Sequence, residues 1–345
     1  MKDFTIIKFD FFDFFNTISS KYVYLKFINN SKLERFQKDL LRDFVDNCNY
    51  CYAGINTSNV MAEIVSQYFD QVIAEVFYDK GLIFYRRYVD DGILIFNRFI
   101  SQDEGLKSIE KALNESFYDS IINVDYSCNT MLNKDPGKFN YISKRELNNN
   151  IDSKYIFNYL GYQFILSSNL KYKTIIRYGI TNAKIQKYTK KIKKIVEEYK
   201  HDSDIEVFRH RLRAFCCRTV YRRKKYYSKV WKSKGFISNY NELRYYLKYL
   251  DEDTEAFLKN TIIDSISDNS INIPYFLKGK HEDSPYSLYY NLKRNRTLLF
   301  EENEHIGINK GTLVNMCNQI GITLTEGKSY NALLREYLIK IKIGH

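Results

Sequence analysis

The chain has 345 residues and a formal net charge of +12, with 53 Lys and Arg against 41 Asp and Glu. This length predicts two domains, each able to bury a core. No apolar run approaches the roughly 18 residues that a membrane-spanning helix needs, and no cationic segment leads into an apolar one at the start. With six dispersed cysteines that give no disulfide framework, these features predict a cytoplasmic protein without a membrane partner.

The first elements predicted along the chain are a strand and two helices. Residues 5–12 are a short β-rich run, and apolar residues at helical spacing follow in 31–47. A long buried helix is predicted over 58–77, with Ser58 and Asn59 as its N-cap. Such a helix needs a sheet to pack on.

Two aspartates interrupt the next apolar stretch. The β-rich runs 82–89 and 93–96 flank Asp90-Asp91-Gly92, which predicts a β-hairpin with both aspartates at its tip. Taken alone, an Asp-Asp-Gly sequence is also compatible with a solvated turn. A second predicted strand, residues 5–9, also ends in an aspartate, Asp10. An acidic residue opposite the Asp90-Asp91 pair favours a functional role for all three.

The remaining elements complete an α+β pattern. Residues 103–117 predict an amphipathic helix, 122–128 a strand and 159–166 a further strand. Beyond about residue 181 the apolar spacing is helical almost throughout. The segment 308–342 predicts two helices joined by a short link.

The predicted domain organisation has three parts. Residues 1–175 form an antiparallel sheet packed on helices, 176–300 form a basic and mostly α-helical region, and 301–345 form a small helical hairpin. The main boundary is expected near 170–180, where the alternation of strands and helices ends.

Positive charge is concentrated in one region. Residues 171–234 contain 21 Lys and Arg against 5 Asp and Glu, so the rest of the chain is slightly acidic. A basic belt of this kind is typical of proteins that bind nucleic acid, and aromatic residues among the cations could stack on bases. The strongest candidates are Arg222, Arg223, Lys224 and Lys225. Solvated lysine-rich helices and core aromatics are the alternative interpretation.

Paired and remote carboxylates suit one kind of chemistry. Transfer of a nucleotidyl group uses two Mg²⁺ ions roughly 4 Å apart, and such hard cations prefer carboxylate oxygens. Asp10 and the Asp90-Asp91 pair supply these ligands if the first strand lies beside the hairpin. The sequence therefore predicts that the three aspartates converge.

Four sequence elements resemble the motifs of the reverse transcriptase palm. The segment D-F-F-D-F-F-N-T-I at 10–18 resembles motif A, G-I-N-T-S-N-V-M-A-E at 54–63 motif B, Y-V-D-D at 88–91 motif C, and Y-L-G-Y at 159–162 the strand before the thumb. Their order matches that family from residue 4 to about 200. The chain is most similar to the bacterial abortive-infection branch, which serves antiphage defence, with retron and group II intron enzymes next.

This resemblance implies a palm fold and an RNA-directed or untemplated DNA polymerase that uses dNTPs and two Mg²⁺ ions. Asp10, Asp90 and Asp91 match the catalytic metal ligands, and Phe11 would offer its backbone carbonyl to a metal. Phe15 matches the aromatic that crowds a nucleotide 2′-hydroxyl, although a core position is equally compatible.

Further roles follow from the same resemblance. Gly54, Ser58 and Asn59 would lie at the incoming nucleotide, and Gly161 and Tyr162 would form the primer grip. Either Lys134 or Lys138 would be the general acid of motif D, a choice that the sequence leaves open.

Two departures from the family pattern suggest alternatives. Tyr50-Cys51-Tyr52 replaces the usual Gly-Leu-Pro, and Met1 lies nine residues before Asp10, which leaves no room for the fingers. The chain could be a fragment, could obtain fingers from a partner chain, or could have an activity that differs from templated copying. Resemblance to the abortive-infection branch implies DNA synthesis without a template and self-association into a homo-oligomer. A catalytically impaired nucleic-acid-binding or assembly subunit and a retron-like enzyme that copies a dedicated RNA remain alternative functions.

Overall fold

The computed structural model describes residues 3–119, 126–150, 153–169, 173–225, 228–278, 284–301, 306–323 and 327–342. The chain has an α+β fold that divides into two units. The first contains Met1–Leu160 and Phe164–Ile176, and the second contains Gly161–Gln163 and Arg177–His345. None of the described helices is long and apolar enough to cross a membrane.

A four-stranded antiparallel sheet forms the centre of the first unit. Its order is β2-β3-β1-β4. The strands are β1 (Thr5–Phe9), β2 (Leu82–Tyr88), β3 (Asp91–Phe96) and β4 (Asn140–Ser143). In the register of β1 and β3, Ile7 pairs with Leu94 and Phe9 with Gly92. Because side chains alternate between the two faces of a strand, Ile7 and Phe9 share one face and Lys8 points to the other.

Helices cover the face of the sheet that carries Phe9. The helices of this unit are α1 (Phe14–Thr17), α2 (Ser20–Val23), which continues into a π-helical turn (Tyr24–Ile28), α3 (Arg35–Asn47), α4 (Asn56–Val76), α5 (Gln102–Phe117) and α6 (Lys144–Asn149). A 3₁₀ turn, Tyr78–Lys80, follows α4. The rings of Phe9 and Phe11 contact Phe69 of α4, and Phe11 also contacts Phe117 of α5. This aromatic cluster anchors α4 and α5 to the sheet.

The opposite face of the sheet has its own apolar cover. A second sheet has the order β5-β6-β7, with β5 (Tyr155–Tyr159), β6 (Tyr162–Ser168) and β7 (Thr174–Ile180). Phe157 and Leu166 pack in one buried cluster with Ile93 and Ile142 of the first sheet. Lys8 and Asp10 lie on this same face, nearer the end of β1.

The second unit combines helices with a small sheet. Its helices are α7 (Asn182–Asp202), α8 (Ile205–Cys216), α9 (Ile237–Tyr240), α10 (Glu252–Asp268), α11 (Leu288–Arg294), α12 (Lys310–Gln319) and α13 (Tyr330–Lys340), with 3₁₀ segments at Asn241–Tyr249 and Tyr275–Leu277. Its sheet has the order β10-β8-β9, from β8 (Arg218–Lys225), β9 (Ser228–Lys234) and β10 (Thr297–Phe300). β8 pairs with β9 antiparallel and with β10 parallel.

Long periodic segments were predicted best. The helices predicted over 31–47, 58–77 and 103–117 are confirmed as α3, α4 and α5, and 308–342 contains the predicted pair α12 and α13. The N-cap of α4 was predicted wrongly, since it is Ile55, without a side-chain hydrogen bond. Ser58 is instead fully buried in the first turn.

Three strand predictions need correction. The expected single strand over 159–166 is the hairpin of β5 and β6, because Leu160 and Gly161 both adopt positive φ and turn the chain. Residues 126–128 are not in a strand, and the rest of 122–128 lies outside the described residues. The region beyond 181 is not helical throughout, because Thr219 and Tyr221 alternate inward on β8 and build a sheet there.

Candidate active site

The three predicted acidic residues lie at one end of the central sheet. Phe9 pairs with Gly92, and just beyond that pair the Phe11 backbone N–H donates a 3.2 Å hydrogen bond to the Asp90 carbonyl. Asp10 is thereby held beside Asp90 and Asp91. Since alternate residues share a face, the side chains of Asp10 and Asp91 lie opposite the buried ring of Phe9.

Asp10 is buried and fully engaged. The residue is 3% exposed, and its Oδ1 accepts a 3.2 Å hydrogen bond from Asn133 Nδ2. Its Oδ2 accepts a 3.0 Å charged hydrogen bond from Lys138 Nζ. The Asn133 backbone N–H also donates to the Asp10 carbonyl at 2.8 Å, so the segment before β4 fixes both ends of this residue.

The structure distinguishes the two lysines that the sequence left open. Lys138 contacts Asp10, whereas Lys134 forms a 2.9 Å ion pair with Glu110 of α5.

A further lysine, Lys8, was not anticipated. It lies two residues before Asp10 on the same face, is 6% exposed, and bonds to Asp91 Oδ1 at 3.0 Å. The signal in the sequence that could have identified Lys8 is its position inside an otherwise apolar strand.

The electrostatics tie these groups into one cluster. Burial raises the pKa of Asp90, and the negative charges of Asp10 and Asp91 raise it further, against the lowering effects of its own backbone N–H and Lys138. The hydrogen bond to Asp10 raises the pKa of Lys138, with smaller contributions from Asp91 and Asp90. Asp10 and Asp91 therefore act on Asp90, and all three carboxylates act on Lys138.

The tip of the hairpin has an unusual backbone. Tyr88 pairs with Asp91, so the two turn residues are Val89 and Asp90, and the predicted turn position of Asp91-Gly92 is corrected to the start of β3. Val89 has a φ of 57°, a left-handed conformation that costs a β-branched residue about 1 to 3 kcal/mol. Gly92 is required for another reason, because a Cβ at this position would collide with the Phe9 ring.

The residues assigned to nucleotide binding occupy varied environments. Gly54 has a φ of 92°, and no atom lies within 4 Å of where its Cβ would be, so its backbone is accessible. Ser58 is buried with an unpartnered hydroxyl, and Asn59 is exposed. Phe15 is half-buried and packs edge-on against Phe14, which matches the core alternative. Among the described residues, no hydrogen bond or ion pair joins Gly54, Ser58 or Asn59 to the three aspartates.

Phe11 and the proposed primer-grip pair have clear structural surroundings. The Phe11 ring is 2% exposed within the aromatic core, which leaves only its backbone for the site. Gly161 and Tyr162 belong to the second unit, where Gly161 has a φ of 82° and Tyr162 packs edge-on against Tyr240. Burial, followed by the charge of Glu242, raises the pKa of Tyr162 to about 12.

The basic residues predicted to bind nucleic acid lie on a β-hairpin. Arg222 and Arg223 are exposed on β8, whose last two residues are Lys224 and Lys225. The Arg222 guanidinium lies 4.5 Å from the ring centre of Trp231 and bonds to Glu301 at 2.7 Å. Residues 218–234 contain eight Lys and Arg and no Asp or Glu, so the sequence of this hairpin carries a strong net positive charge.

The donor atoms at the carboxylate cluster are chemically suited to Mg²⁺, because carboxylate and carbonyl oxygens are its preferred protein ligands. In the described part of the chain, no three His, Cys, Asp or Glu side chains are already arranged around a common metal position. Instead, Lys138 and Lys8 bond to Asp10 and Asp91. Divalent ions would have to displace these two ammonium groups.

No protein-family model matches the chain, and no curated protein is significantly similar to it. The chemistry of the site therefore rests on its residues and their geometry.

Proposed function

We propose that the first unit is the palm of a reverse-transcriptase-type DNA polymerase, which transfers nucleotidyl groups from dNTPs to a primer hydroxyl. The observation that carries this proposal is the hydrogen bond between the Phe11 N–H and the Asp90 carbonyl, which brings Asp10 beside the Asp90-Asp91 pair. These residues are 80 positions apart in the sequence, and strand pairing alone unites them.

Asp10, Asp90 and Asp91, with the Phe11 carbonyl, would hold two Mg²⁺ ions. When bound, such ions lower the pKa of an attacking hydroxyl and stabilise the charge on the departing pyrophosphate. Asp10 is positioned by Asn133 and the backbone of the segment before β4, so its carboxylate does not need to reorganise. Preorganised charge of this kind contributes much of an enzyme's rate enhancement.

Lys138 would hold and deliver a proton. Its ammonium group is stabilised by Asp10, which raises its pKa and keeps it charged in the absence of divalent ions. Cations held by the carboxylates would weaken this stabilisation and lower the pKa of Lys138 towards its ordinary range. The Lys138 proton would then be easier to transfer to a leaving group nearby.

The partner proposed for the second unit is a nucleic acid strand. The β8–β9 hairpin offers cations for phosphates, and Trp231, which is 43% exposed, offers a ring for base stacking. A role in antiphage defence and the synthesis of DNA without a template rest on the sequence resemblance.

The test is nucleotide incorporation by the full chain. Purified protein with Mg²⁺ and labelled dNTPs should extend a primer or label itself, and the Asp90→Asn/Asp91→Asn double variant should lose this signal. Asp79→Asn, at an exposed position in the same unit, is the matched control. Equal incorporation by the double variant and the parent would overturn the assignment.

A second function, an assembly or nucleic-acid-binding subunit without catalysis, is favoured by one observation. Lys8 and Lys138 already neutralise two of the three carboxylates, which would keep the cluster stable without cations. This alternative predicts strongly salt-dependent nucleic acid binding without any dNTP turnover.

A further inference from the structure

Arg87 of β2 is buried against helix α4. Its side chain is 3% exposed, and it forms a bidentate contact with Asp70, with Nε to Oδ1 at 2.9 Å and Nη2 to Oδ2 at 3.0 Å. Glu63 lies 3.4 Å from Nη2, and the Tyr85 hydroxyl donates to Asp70 at 2.6 Å. The guanidinium is therefore rigidly held by a helix rather than by its own strand.

The remaining nitrogen, Nη1, donates a 2.8 Å hydrogen bond to the Val89 carbonyl. Val89 is the turn residue with a φ of 57°, a position at which hairpins usually have glycine. An external bond to this carbonyl therefore opposes relaxation of a strained β-branched residue.

The peptide group between Val89 and Asp90 connects this contact to the carboxylate cluster. Its carbonyl accepts from Arg87, and its N–H belongs to Asp90. That N–H interacts with the Asp90 carboxylate itself and lowers its pKa, although burial, the largest influence, raises it. Rotation of this one peptide would move the backbone of Asp90 and change the interaction between its N–H and its carboxylate.

We propose that Arg87 is a positioning residue, which transmits the rigidity of α4 to the Val89–Asp90 peptide and so sets the orientation of the Asp90 carboxylate. The catalytic consequence rests on the proposed polymerase function, whereas the structural coupling between Arg87 and Val89 does not. Methionine at position 87 keeps the aliphatic bulk and removes every hydrogen bond.

The experiment compares Arg87→Met, Val89→Gly and the double variant in the full chain. Arg87→Met should lower kcat about 100-fold and raise the Mg²⁺ concentration needed for half-maximal rate, with little change in the KM for dNTP. Glycine adopts positive φ without strain, so the double variant should recover about tenfold in kcat relative to Arg87→Met. Tyr85→Phe is the control, because it removes a partly buried hydrogen bond in the same network and leaves all Arg87 contacts intact.

Two outcomes would overturn the positioning role. One is parental kcat and Mg²⁺ dependence in Arg87→Met, and the other is an equal effect of Arg87→Met in the parent and in the Val89→Gly variant. A failure of the polymerase function is recognised separately, as an absence of incorporation by the parent. The Mg²⁺-induced rise in the unfolding temperature then decides the inference: a rise in the parent that is smaller in Arg87→Met supports positioning, whereas an equal rise in both proteins, or no rise in the parent, contradicts it.

Discussion

Lys138 Nζ lies 3.0 Å from Asp10 Oδ2, and these residues are 128 positions apart in the chain. Asp10 is almost completely buried, whereas the Lys138 side chain is 48% exposed. A buried carboxylate thus has a partner that solvent, a nucleotide or a cation can approach. Such an arrangement satisfies Asp10 in the free protein without closing the cluster to ligands.

Lys138→Met should impair both stability and activity. The buried Asp10 carboxylate would retain only Asn133 among its side-chain partners, so the free energy of unfolding in a chelating buffer should fall by about 1 to 3 kcal/mol. If Lys138 transfers a proton, the incorporation rate should fall about 100-fold. Urea unfolding and single-turnover incorporation measure the two effects. Lys134→Met is the matched control, since Lys134 pairs with Glu110, and equal effects of both substitutions would contradict the assignment.

Asp90→Asn should stabilise the protein when divalent ions are removed. Burial, together with Asp10 and Asp91, raises the pKa of Asp90, so the folded chain binds this proton more tightly than the unfolded chain. Stability is therefore lost as the pH rises through the ionisation of Asp90, and asparagine removes that loss. Unfolding temperatures at neutral pH should be higher for the variant than for the parent.

Mg²⁺ should reverse the order of the unfolding temperatures of the parent and Asp90→Asn. Cations that neutralise the carboxylates should stabilise the parent by mass action and leave Asp90→Asn nearly unchanged. Asp79→Asn, at an exposed position, should behave like the parent under both conditions. A parent that Mg²⁺ does not stabilise would argue against a metal site at these residues.

Gly92→Ala should destabilise the hairpin through packing. The new Cβ would collide with the Phe9 ring, which is completely buried against Phe69, so either the ring or β3 must shift. Overpacking of this kind costs about 1 to 3 kcal/mol, measurable by urea unfolding. Gly311→Ala in α12 is the control, because its nearest atom is 3.7 Å away and alanine favours a helix. Equal stability of Gly92→Ala and the parent would contradict the prediction, because it would show that β1 and β3 can move apart to admit the new Cβ.

His210 should make the protein sensitive to acid. It lies buried on α8, with Nδ1 2.8 Å from the Tyr337 hydroxyl and Nε2 3.1 Å from Gln319 Oε1. Burial lowers the pKa of His210 from 6.5 to about 4, and the charges of Arg209 and Arg213 assist. Between these values the unfolded chain binds a proton that the folded chain rejects, so stability falls as the pH decreases from 6.5 to 4.

The size of this effect is on the order of 3 kcal/mol, from about 1.4 kcal/mol for each pKa unit. His210→Gln keeps hydrogen-bonding capacity and should flatten the pH dependence of the free energy of unfolding in this range. Acidic residues titrate in the same pH range, so the contribution of His210 is taken from the difference in the free energy of unfolding between parent and variant. A constant difference from pH 6.5 to 4 would contradict the prediction.

Arg223→Ala should weaken binding to a single-stranded oligonucleotide and reduce its salt dependence. Removal of one phosphate contact should lower the slope of log K against log salt by about 0.7. Trp231→Ala should weaken binding by about 1 to 3 kcal/mol through lost stacking, with an unchanged slope. Lys107→Ala is the control, because this exposed lysine of α5 already pairs with Asp103. Identical slopes for all proteins would exclude the β8–β9 hairpin as the binding surface.

Local pattern predicted the long elements, since α3, α4 and α5 each carry a sustained apolar face with helical spacing. It failed at β8 and β9, where runs of cations with interspersed aromatics lack a clear two-residue alternation and resemble an exposed helix as readily as a strand. The partner that decides between them, β10, is more than 60 residues further along the chain.

The sequence by itself determined the identity of the acidic residues and the hairpin that carries two of them, because these depend on residue types and on spacing within a few positions. Only the tertiary structure decided which cations face them. Lys8 contacts Asp91 through strand register, and Lys138 contacts Asp10 from a distant loop. Arg87 reaches the nearby Val89 carbonyl with a guanidinium that is held by Asp70 of α4. Contacts between residues far apart in sequence follow from the packing of whole elements, and no local pattern encodes them.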